Sequence, residues 1–76
     1  MKVIVYSSKW CIWCIKLKAF LKSKNIAFEE KDVDYPPYLE ELSALTGQNK
    51  IPAVIADDKY VVGFEVEKLK SILNIK

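Results

Sequence analysis

The apolar positions of the chain follow two periods, which together predict seven elements of secondary structure. A nearly continuous β-branched run at residues 2–6 is typical of a buried strand. A helical period covers residues 11–24, with an apolar stripe made of Trp13, Leu17, Phe20 and Leu21. The later elements are a charged strand, a helix, the two strands of a hairpin and a last helix, at residues 27–33, 38–46, 51–56, 59–62 and 65–74.

Residues with special backbone preferences mark the ends of the predicted helices. Asn25 and Gly47 follow the first two helical patterns, at positions where a left-handed residue commonly ends a helix. Pro36 and Pro37 precede the second pattern, and proline is tolerated in the first turn of a helix. The core-facing positions are predicted to be Leu39, Leu42 and Leu45 in the second helix and Val66, Leu69, Ile72 and Leu73 in the third.

The element order β-α-β-α-β-β-α predicts an α/β fold with a mixed sheet. The first β-α-β unit requires two parallel strands, whereas the later hairpin must be antiparallel. The charged strand at residues 27–33 suits a position near the edge of the sheet. We therefore expect four strands flanked by three helices, in a single domain that spans residues 1–76.

The cysteines are the first candidates for chemistry. Cys11 and Cys14 are the only two, and they lie between the first strand and the first helix. Ligand sites of α/β sheets form beyond this end of the strands. A disulfide across three positions closes too short a loop to stabilise the fold. The pair is thus predicted to be the functional site and not a structural staple, and the helix N-terminus is expected to stabilise a thiolate on Cys11.

Composition and charge exclude several classes of function. The net charge is +2, and all twelve basic residues are lysines, so the arginine fork typical of nucleic-acid recognition is missing. The lysines of the first helix are expected to be solvated. No apolar stretch is long enough for a membrane span, and the N-terminus has no signal-peptide pattern, which predicts a cytoplasmic protein without a membrane partner.

Three segments resemble those that form the active site of glutaredoxins. Residues 6–14, Tyr-Ser-Ser-Lys-Trp-Cys-Ile-Trp-Cys, resemble the segment that runs from a strand into the cysteine pair. Ile51-Pro52 is similar to the element that carries a cis-proline in thioredoxin-fold proteins, and residues 62–65 resemble the neighbouring glycine turn. The resemblance covers essentially the whole chain. It implies a thioredoxin fold of the glutaredoxin type and a dithiol–disulfide oxidoreductase.

Departures from standard glutaredoxins make the chain more similar to NrdH-type redoxins. Ile12 replaces a proline between the cysteines, Val66 replaces an aspartate of the glutathione site, and Ser8 occupies the position of a glutathione-facing lysine. This implies thioredoxin reductase as the electron donor, with glutathione as the alternative. It also implies a monomer without a bound cofactor, a redox-active Cys11–Cys14 disulfide and a disulfide-containing protein substrate, for which ribonucleotide reductase is one candidate.

The resemblance also implies a role for each site residue. Cys11 is the attacking thiol and Cys14 the resolving thiol. The substrate-binding surroundings are predicted to be Lys9, Trp10, Trp13, Ile51, Pro52, Gly63, Phe64 and Glu65. Two assignments stay open: Trp13 either rims the site or joins the core stripe of its helix, and Glu65 either binds ligand or caps the last helix.

Two other classes of function compete with the oxidoreductase. The cysteines would supply half of a zinc or iron–sulfur site, but the chain has no histidine and no third cysteine, so only a dimer or external thiols would complete it. A redox-inert binding domain that keeps the fold is the other alternative, and it predicts that Cys11→Ser leaves function unchanged.

Overall fold

The computed structural model describes residues 2–74 and confirms the predicted order of elements. The elements are β1 (Val3–Ser7), α1 (Ile12–Ser23), β2 (Glu29–Asp32), α2 (Pro36–Thr46), β3 (Ala53–Ala56), β4 (Lys59–Val62) and α3 (Val66–Leu73). Residues 1, 75 and 76, which the predicted domain includes, lie outside the described residues. No helix within residues 2–74 is long and apolar enough to cross a membrane.

The four strands form one mixed sheet in the order β2-β1-β3-β4. β1 is parallel to β2 and antiparallel to β3, and β3 is antiparallel to β4. The charged strand β2 therefore lies at one edge, as predicted. Because β1 is central, the loop that follows it emerges in the middle of one end of the sheet, and this loop carries the cysteine pair.

Side chains of the central strands alternate between two cores, so both faces of the sheet are covered. On one face, α1 and α3 pack against the strands and form the α1/α3 core, whose buried residues are Val3, Val5, Leu17, Leu21, Val54, Ala56, Val61, Leu69 and Leu73. On the other face α2 packs alone and forms the α2 core, whose buried residues are Tyr6, Leu42, Ala53 and Ile55. This arrangement fixes α1, and with it the cysteines, on the larger core.

The helix ends agree with the predicted terminators. Asn25 has a φ of 58° just after α1, and Gly47 has a φ of 72° at the end of α2. Gly47 suits that place because only glycine adopts the left-handed region without steric cost. α2 begins at Pro36 rather than at the predicted residue 38, since proline lacks only an N–H that the first turn leaves unbonded in any case.

One predicted core residue of α2 is wrong. Leu45 is 51% exposed, and Thr46 is buried in its place. At ~100° per residue, Leu45 lies ~120° around the helix from Leu39, whereas Thr46 lies within ~20° of it. The Thr46 hydroxyl is satisfied in this buried position because it donates to the Leu42 carbonyl at 2.9 Å and accepts from the Gln48 N–H at 3.2 Å.

Candidate active site

A tight turn connects β1 to α1 and presents the first residues of the site. The Ser8 carbonyl accepts the Cys11 N–H at 3.3 Å, which closes the turn. The Ser8 hydroxyl contacts the Asp34 carboxylate at 3.2 Å and accepts the Trp10 N–H at 3.5 Å. Trp10, at the tip of the turn, is 90% exposed. The turn thus holds Cys11 at the beginning of the helix and leaves a large apolar side chain in solvent beside it.

Cys11 is the N-cap of α1. Its sulfur accepts the Cys14 N–H at 3.2 Å, and its carbonyl accepts the Ile15 N–H at 3.2 Å. The side chain is partly exposed, and the sulfur is a free thiol. Backbone N–H groups and the positive end of the helix dipole stabilise negative charge on a sulfur in this position. The geometry therefore suits a nucleophilic thiolate that a substrate can reach.

Cys14 lies one turn further along α1 and is completely buried. Burial, and after it the hydrogen bond with Cys11, raise the pKa of Cys14 to about 12, while the Ser8 backbone and the Lys18 ammonium act in the opposite direction. Cys14 is also a free thiol. The two cysteines are therefore unequal: one is accessible at the helix end, and the other keeps its proton inside the protein.

The loop before β3 faces this end of the molecule. The peptide bond between Ile51 and Pro52 is cis, as the resemblance implied. The Pro52 carbonyl accepts the Gly63 N–H at 2.7 Å, which joins this loop to the turn after β4. Gly63 has a φ of 93°, a value that favours glycine, although a Cβ atom there would meet nothing within 4 Å. Backbone geometry alone therefore accounts for this glycine.

Five predicted substrate-binding residues line one apolar cavity of about 250 Å³: Trp13, Ile51, Pro52, Gly63 and Phe64. Trp13 is 54% exposed, so it rims this cavity rather than joining the core stripe, which consists of Cys14, Leu17 and Leu21. Phe64 lies under it, with ring centroids 6.5 Å apart, and is itself packed on Phe20 at 5.9 Å. The floor of the cavity thus rests on the α1/α3 core.

The other predicted site residues lie at the periphery. Lys9 is exposed and takes part in none of the ion pairs found within residues 2–74. Glu65 occupies the N-cap position of α3, which was one of its two open assignments, although its side chain makes no cap hydrogen bond. The Glu65 carboxylate instead pairs with the Lys68 ammonium at 2.9 Å. This pairing leaves less negative charge beside the glycine turn than the sequence suggests.

One charged residue beside the site differs from its prediction. Lys18 was expected to be solvated, but its side chain is only 22% exposed and its ammonium pairs with the Glu30 carboxylate of β2. Glu30 also accepts the hydroxyl of the buried Ser7 at 2.8 Å. Lys18 comes four residues after Cys14 on a helix, and this spacing predicts that the two side chains share one face of the helix.

The described part of the chain contains no group of three or more His, Cys, Asp or Glu side chains that could hold a metal ion. Cys11 and Cys14 would supply two thiolate ligands at most. A metal centre on this pair would therefore need ligands from a second molecule.

Comparison with known proteins identifies the family. The glutaredoxin family model matches residues 3–61. An uncharacterized glutaredoxin-like 8.6 kDa protein in the rubredoxin operon of Clostridium pasteurianum is 41% identical over 69 residues, which cover 86% of this chain and 92% of that protein.

Solved structures agree with this result. The glutaredoxin of Archaeoglobus fulgidus superimposes with a TM-score of 0.89 at 28% identity, covering 95% of this chain and 85% of that one. The glutaredoxin-like NrdH-redoxin of Escherichia coli, whose structure was determined to explain its thioredoxin-like activity profile, superimposes with a TM-score of 0.80 at 26% identity, covering 100% and 96%. Proteins of this family and fold are thiol–disulfide oxidoreductases, and by family match, fold and cysteine pair this chain belongs to the glutaredoxin family.

Proposed function

We propose that the protein is a dithiol electron carrier that reduces disulfides in other proteins, with Cys11 as the attacking thiol and Cys14 as the resolving thiol. The observation that carries this assignment is the inequality of the pair. Cys11 is partly exposed at a helix N-terminus, whereas Cys14 is buried and its pKa is raised to about 12. A nucleophile must be ionised and reachable, and a resolving thiol must wait until the first bond has formed.

The reaction proceeds in two exchanges. The Cys11 thiolate attacks one sulfur of the substrate disulfide, whose S–S bond breaks, and the second substrate sulfur leaves and takes up a proton. Cys14 then loses its proton and attacks the Cys11 sulfur. The bond between Cys11 and the substrate breaks, and the first substrate sulfur leaves as a thiol. The substrate gains two electrons, and the protein becomes a Cys11–Cys14 disulfide.

An extended substrate segment fits the surface beside Cys11. Within residues 2–74, no backbone hydrogen bond uses the amide or carbonyl of Ile51, so both groups are available to a substrate backbone. The apolar cavity of about 250 Å³ next to them has room for one apolar side chain of that segment. Trp10 and Lys9 form the outer rim in this proposal, since both are exposed in the turn that precedes Cys11.

We assign thioredoxin reductase as the electron donor. Ile12, which is 62% exposed, stands between the cysteines where standard glutaredoxins have a proline, and the Glu65 carboxylate is paired with Lys68. Neither position therefore matches the glutathione site of standard glutaredoxins. The Escherichia coli NrdH-redoxin, with its thioredoxin-like activity profile, supports the same donor. The proposal includes a monomer that works in the cytoplasm, where thiols are kept reduced, with ribonucleotide reductase as one candidate substrate.

Glutathione is the second candidate donor, and one observation favours it. A polar cavity of about 360 Å³ lies along β4 and α3, with Lys50, Lys68 and Gln48 among its lining residues. Its residues Val62 and Glu65 flank the Gly63-Phe64 pair that lines the apolar cavity. Lys50 takes part in none of the ion pairs found within residues 2–74, so its ammonium would suit a carboxylate of a small anionic thiol.

The first experiment tests the cysteine roles by reduction of a model protein disulfide. Cys11→Ser should abolish turnover, and Cys14→Ser should accumulate a mixed disulfide with the substrate that is visible by mass spectrometry. If Cys11→Ser kept its reductase activity, the proposed mechanism would be wrong, and a redox-inert binding domain would gain support.

The second experiment identifies the donor. The unmodified protein is assayed for NADPH consumption in parallel with thioredoxin reductase and with glutathione plus glutathione reductase. Activity with thioredoxin reductase alone is the expected result. Activity with the glutathione system alone would assign the donor to the polar cavity, and Lys50→Met should then weaken that activity, with Lys59→Met on β4, outside the cavity lining, as the control.

A further inference from the structure

An ion pair holds a lysine one helical turn after the buried cysteine. Lys18 lies one turn after Cys14 on α1, and its ammonium pairs with the Glu30 carboxylate on the edge strand β2. The same carboxylate oxygen accepts the Ser7 hydroxyl at 2.8 Å, and Ser7 is only 1% exposed at the end of β1. Elements α1, β1 and β2 therefore all contribute to holding this ammonium.

The groups that most strongly affect the protonation of Cys14 lie close to it in the chain. From its own helix these are Cys11 and Lys18, and from the turn after β1 it is the polar backbone of Ser8. Glu30 on β2 acts through its bond to Lys18, and Lys22, one turn further along α1, acts on Glu30. Negative charge on Cys11 and the hydrogen bond with it favour the protonated form of Cys14, whereas the Lys18 ammonium favours the thiolate.

The first exchange changes this balance. Once the Cys11 sulfur is bonded to a substrate sulfur, it carries no negative charge, and the two effects by which it held the proton on Cys14 are lost. Burial then opposes ionisation of Cys14, while Lys18 and the Ser8 backbone favour it. Among the groups with the largest effects on the pKa of Cys14, Lys18 carries a full positive charge. In the mixed disulfide, Cys14 must ionise before it can attack the Cys11 sulfur.

We propose that Lys18 is a positioning residue for the resolving step: its ammonium, held by Glu30, stabilises the Cys14 thiolate once Cys11 is bonded to the substrate. In that step the Cys14 thiolate forms a bond to the Cys11 sulfur. The electron pair of the broken Cys11–substrate bond leaves with the substrate sulfur, which ends with the proton that Cys14 has lost. The inference rests on the proposed roles of Cys11 and Cys14.

A neutral aromatic disulfide separates the two steps. With dithiodipyridine in stopped flow, the first chromophore is released at a rate that depends on reagent concentration, and the second is released by Cys14 at a rate that does not. Lys18→Met should slow the second phase about three- to tenfold near neutral pH, since exchange rates follow the thiolate fraction. It should also move the pH profile of that phase to higher pH. Lys18→Gln is the second uncharged variant, should Lys18→Met fold poorly.

Three controls distinguish charge from structure. Lys18→Arg should keep the second phase within about twofold, because the positive charge is retained. Lys22→Met, which removes one lysine charge from the same helix, should leave both phases unchanged. In a Cys14→Ser background, Lys18→Met should leave the first phase unchanged, since Cys11 attacks before Cys14 takes part.

The outcomes separate this inference from the proposed function. Equal slowing of both phases, an unchanged second phase, or failure of Lys18→Arg to restore the rate would overturn the role of Lys18 and leave the cysteine roles intact. Absence of the second phase in the unmodified protein would instead overturn the role of Cys14, and with it the basis of the inference.

Discussion

The two faces of the sheet are held by different forces. On the α1/α3 face, nine buried apolar residues join two helices to three strands. On the α2 face, the buried cluster has four members, and one of them is Tyr6. The Tyr6 hydroxyl donates to the Glu41 carboxylate at 2.8 Å, and the Lys31 ammonium donates to the same oxygen at 2.7 Å. The first helix thus rests on a large apolar core, to which the Lys18–Glu30 ion pair adds, whereas the smaller cluster under the second helix includes a tyrosine bonded to an ionised group.

This difference agrees with what each helix has to do. α1 and its N-cap carry the two cysteines, and the apolar core that holds this helix does not titrate, although its ion pair with Glu30 does. α2 carries no cysteine, and its hydrogen bonds to Tyr6 and Lys31 depend on the charge of Glu41. We therefore expect the α1 side to be sensitive to lost volume and the α2 side to be sensitive to pH.

The largest expected effect is loss of volume in the α1/α3 core. Leu17→Ala should lower the free energy of unfolding by about 2–5 kcal/mol, because Leu17 is fully buried and its removal leaves a cavity. Urea or guanidinium titration followed by circular dichroism measures this. Leu45→Ala is the matched control on α2 and should change stability little, since Leu45 is 51% exposed. Equal losses in both variants would remove the contrast between the faces.

A smaller effect is expected from the Tyr6 hydroxyl. Tyr6→Phe should cost about 1–2 kcal/mol at neutral pH, because a hydrogen bond to a charged partner is lost while the ring remains. Tyr60→Phe is the matched control, since Tyr60 is 47% exposed on the edge strand β4. Denaturant titration of the two variants compares them, and an unchanged stability of Tyr6→Phe would show that Lys31 alone satisfies Glu41.

The same tyrosine predicts a loss of stability at alkaline pH. Burial, and after it the hydrogen bond to Glu41, raise the pKa of Tyr6. Such a group contributes stability that is complete below its unfolded pKa of about 10 and is lost as the pH rises through the folded value. Unfolding curves above that pH should therefore fall more steeply for the unmodified protein than for Tyr6→Phe. Parallel curves would contradict the burial of this hydroxyl.

The smallest effect is expected at acidic pH. The Lys31 ammonium, and after it the Tyr6 hydroxyl, lower the pKa of Glu41. Its contribution is therefore present above the unfolded pKa of about 4.3 and is lost as the pH falls through the folded value. In urea titrations, Glu41→Gln should lose less unfolding free energy than the unmodified protein as the pH falls. Glu40→Gln, which changes an exposed neighbour on α2, should lose as much as the unmodified protein. If Glu41→Gln left the loss of stability at acidic pH unchanged, the α2 side would be no more pH-sensitive than the α1 side.

Much of the site followed from the sequence because its parts are local. The cysteine spacing, the strand before it and the helix after it lie within residues 3–23, and the structure agrees with all three. The cis bond before Pro52 and the cavity shared with Gly63 and Phe64 agree with what the glutaredoxin resemblance implied. Trp13 stayed undecided because it lies next to the apolar stripe of α1, and only the position of Phe64 placed it at the rim.

The errors concern side chains whose environment comes from distant parts of the chain. Leu45 is apolar but faces solvent, and Thr46 is polar but buried, because the direction of α2 on the sheet selects its inner face. Lys18 appeared to be one of several solvated lysines, and its partner Glu30 is twelve residues away on another element. Hydrophobic period alone does not report such pairings, since an ion pair can hold a charged residue against the sheet.

The sequence by itself determined the order of the seven elements and the place of the cysteine pair at the junction of β1 and α1. Period, turn residues and the strand-to-helix junction are properties of neighbouring residues, so they can be read without a fold. Only the tertiary structure decided how unequal the two cysteines are. Cys14 is completely buried and the Lys18 ammonium is held by Glu30 because β1, β2 and α1 pack against one another. Burial and the distances between charges, which shift the pKa of Cys14, are set by this packing and not by neighbouring residues in the chain.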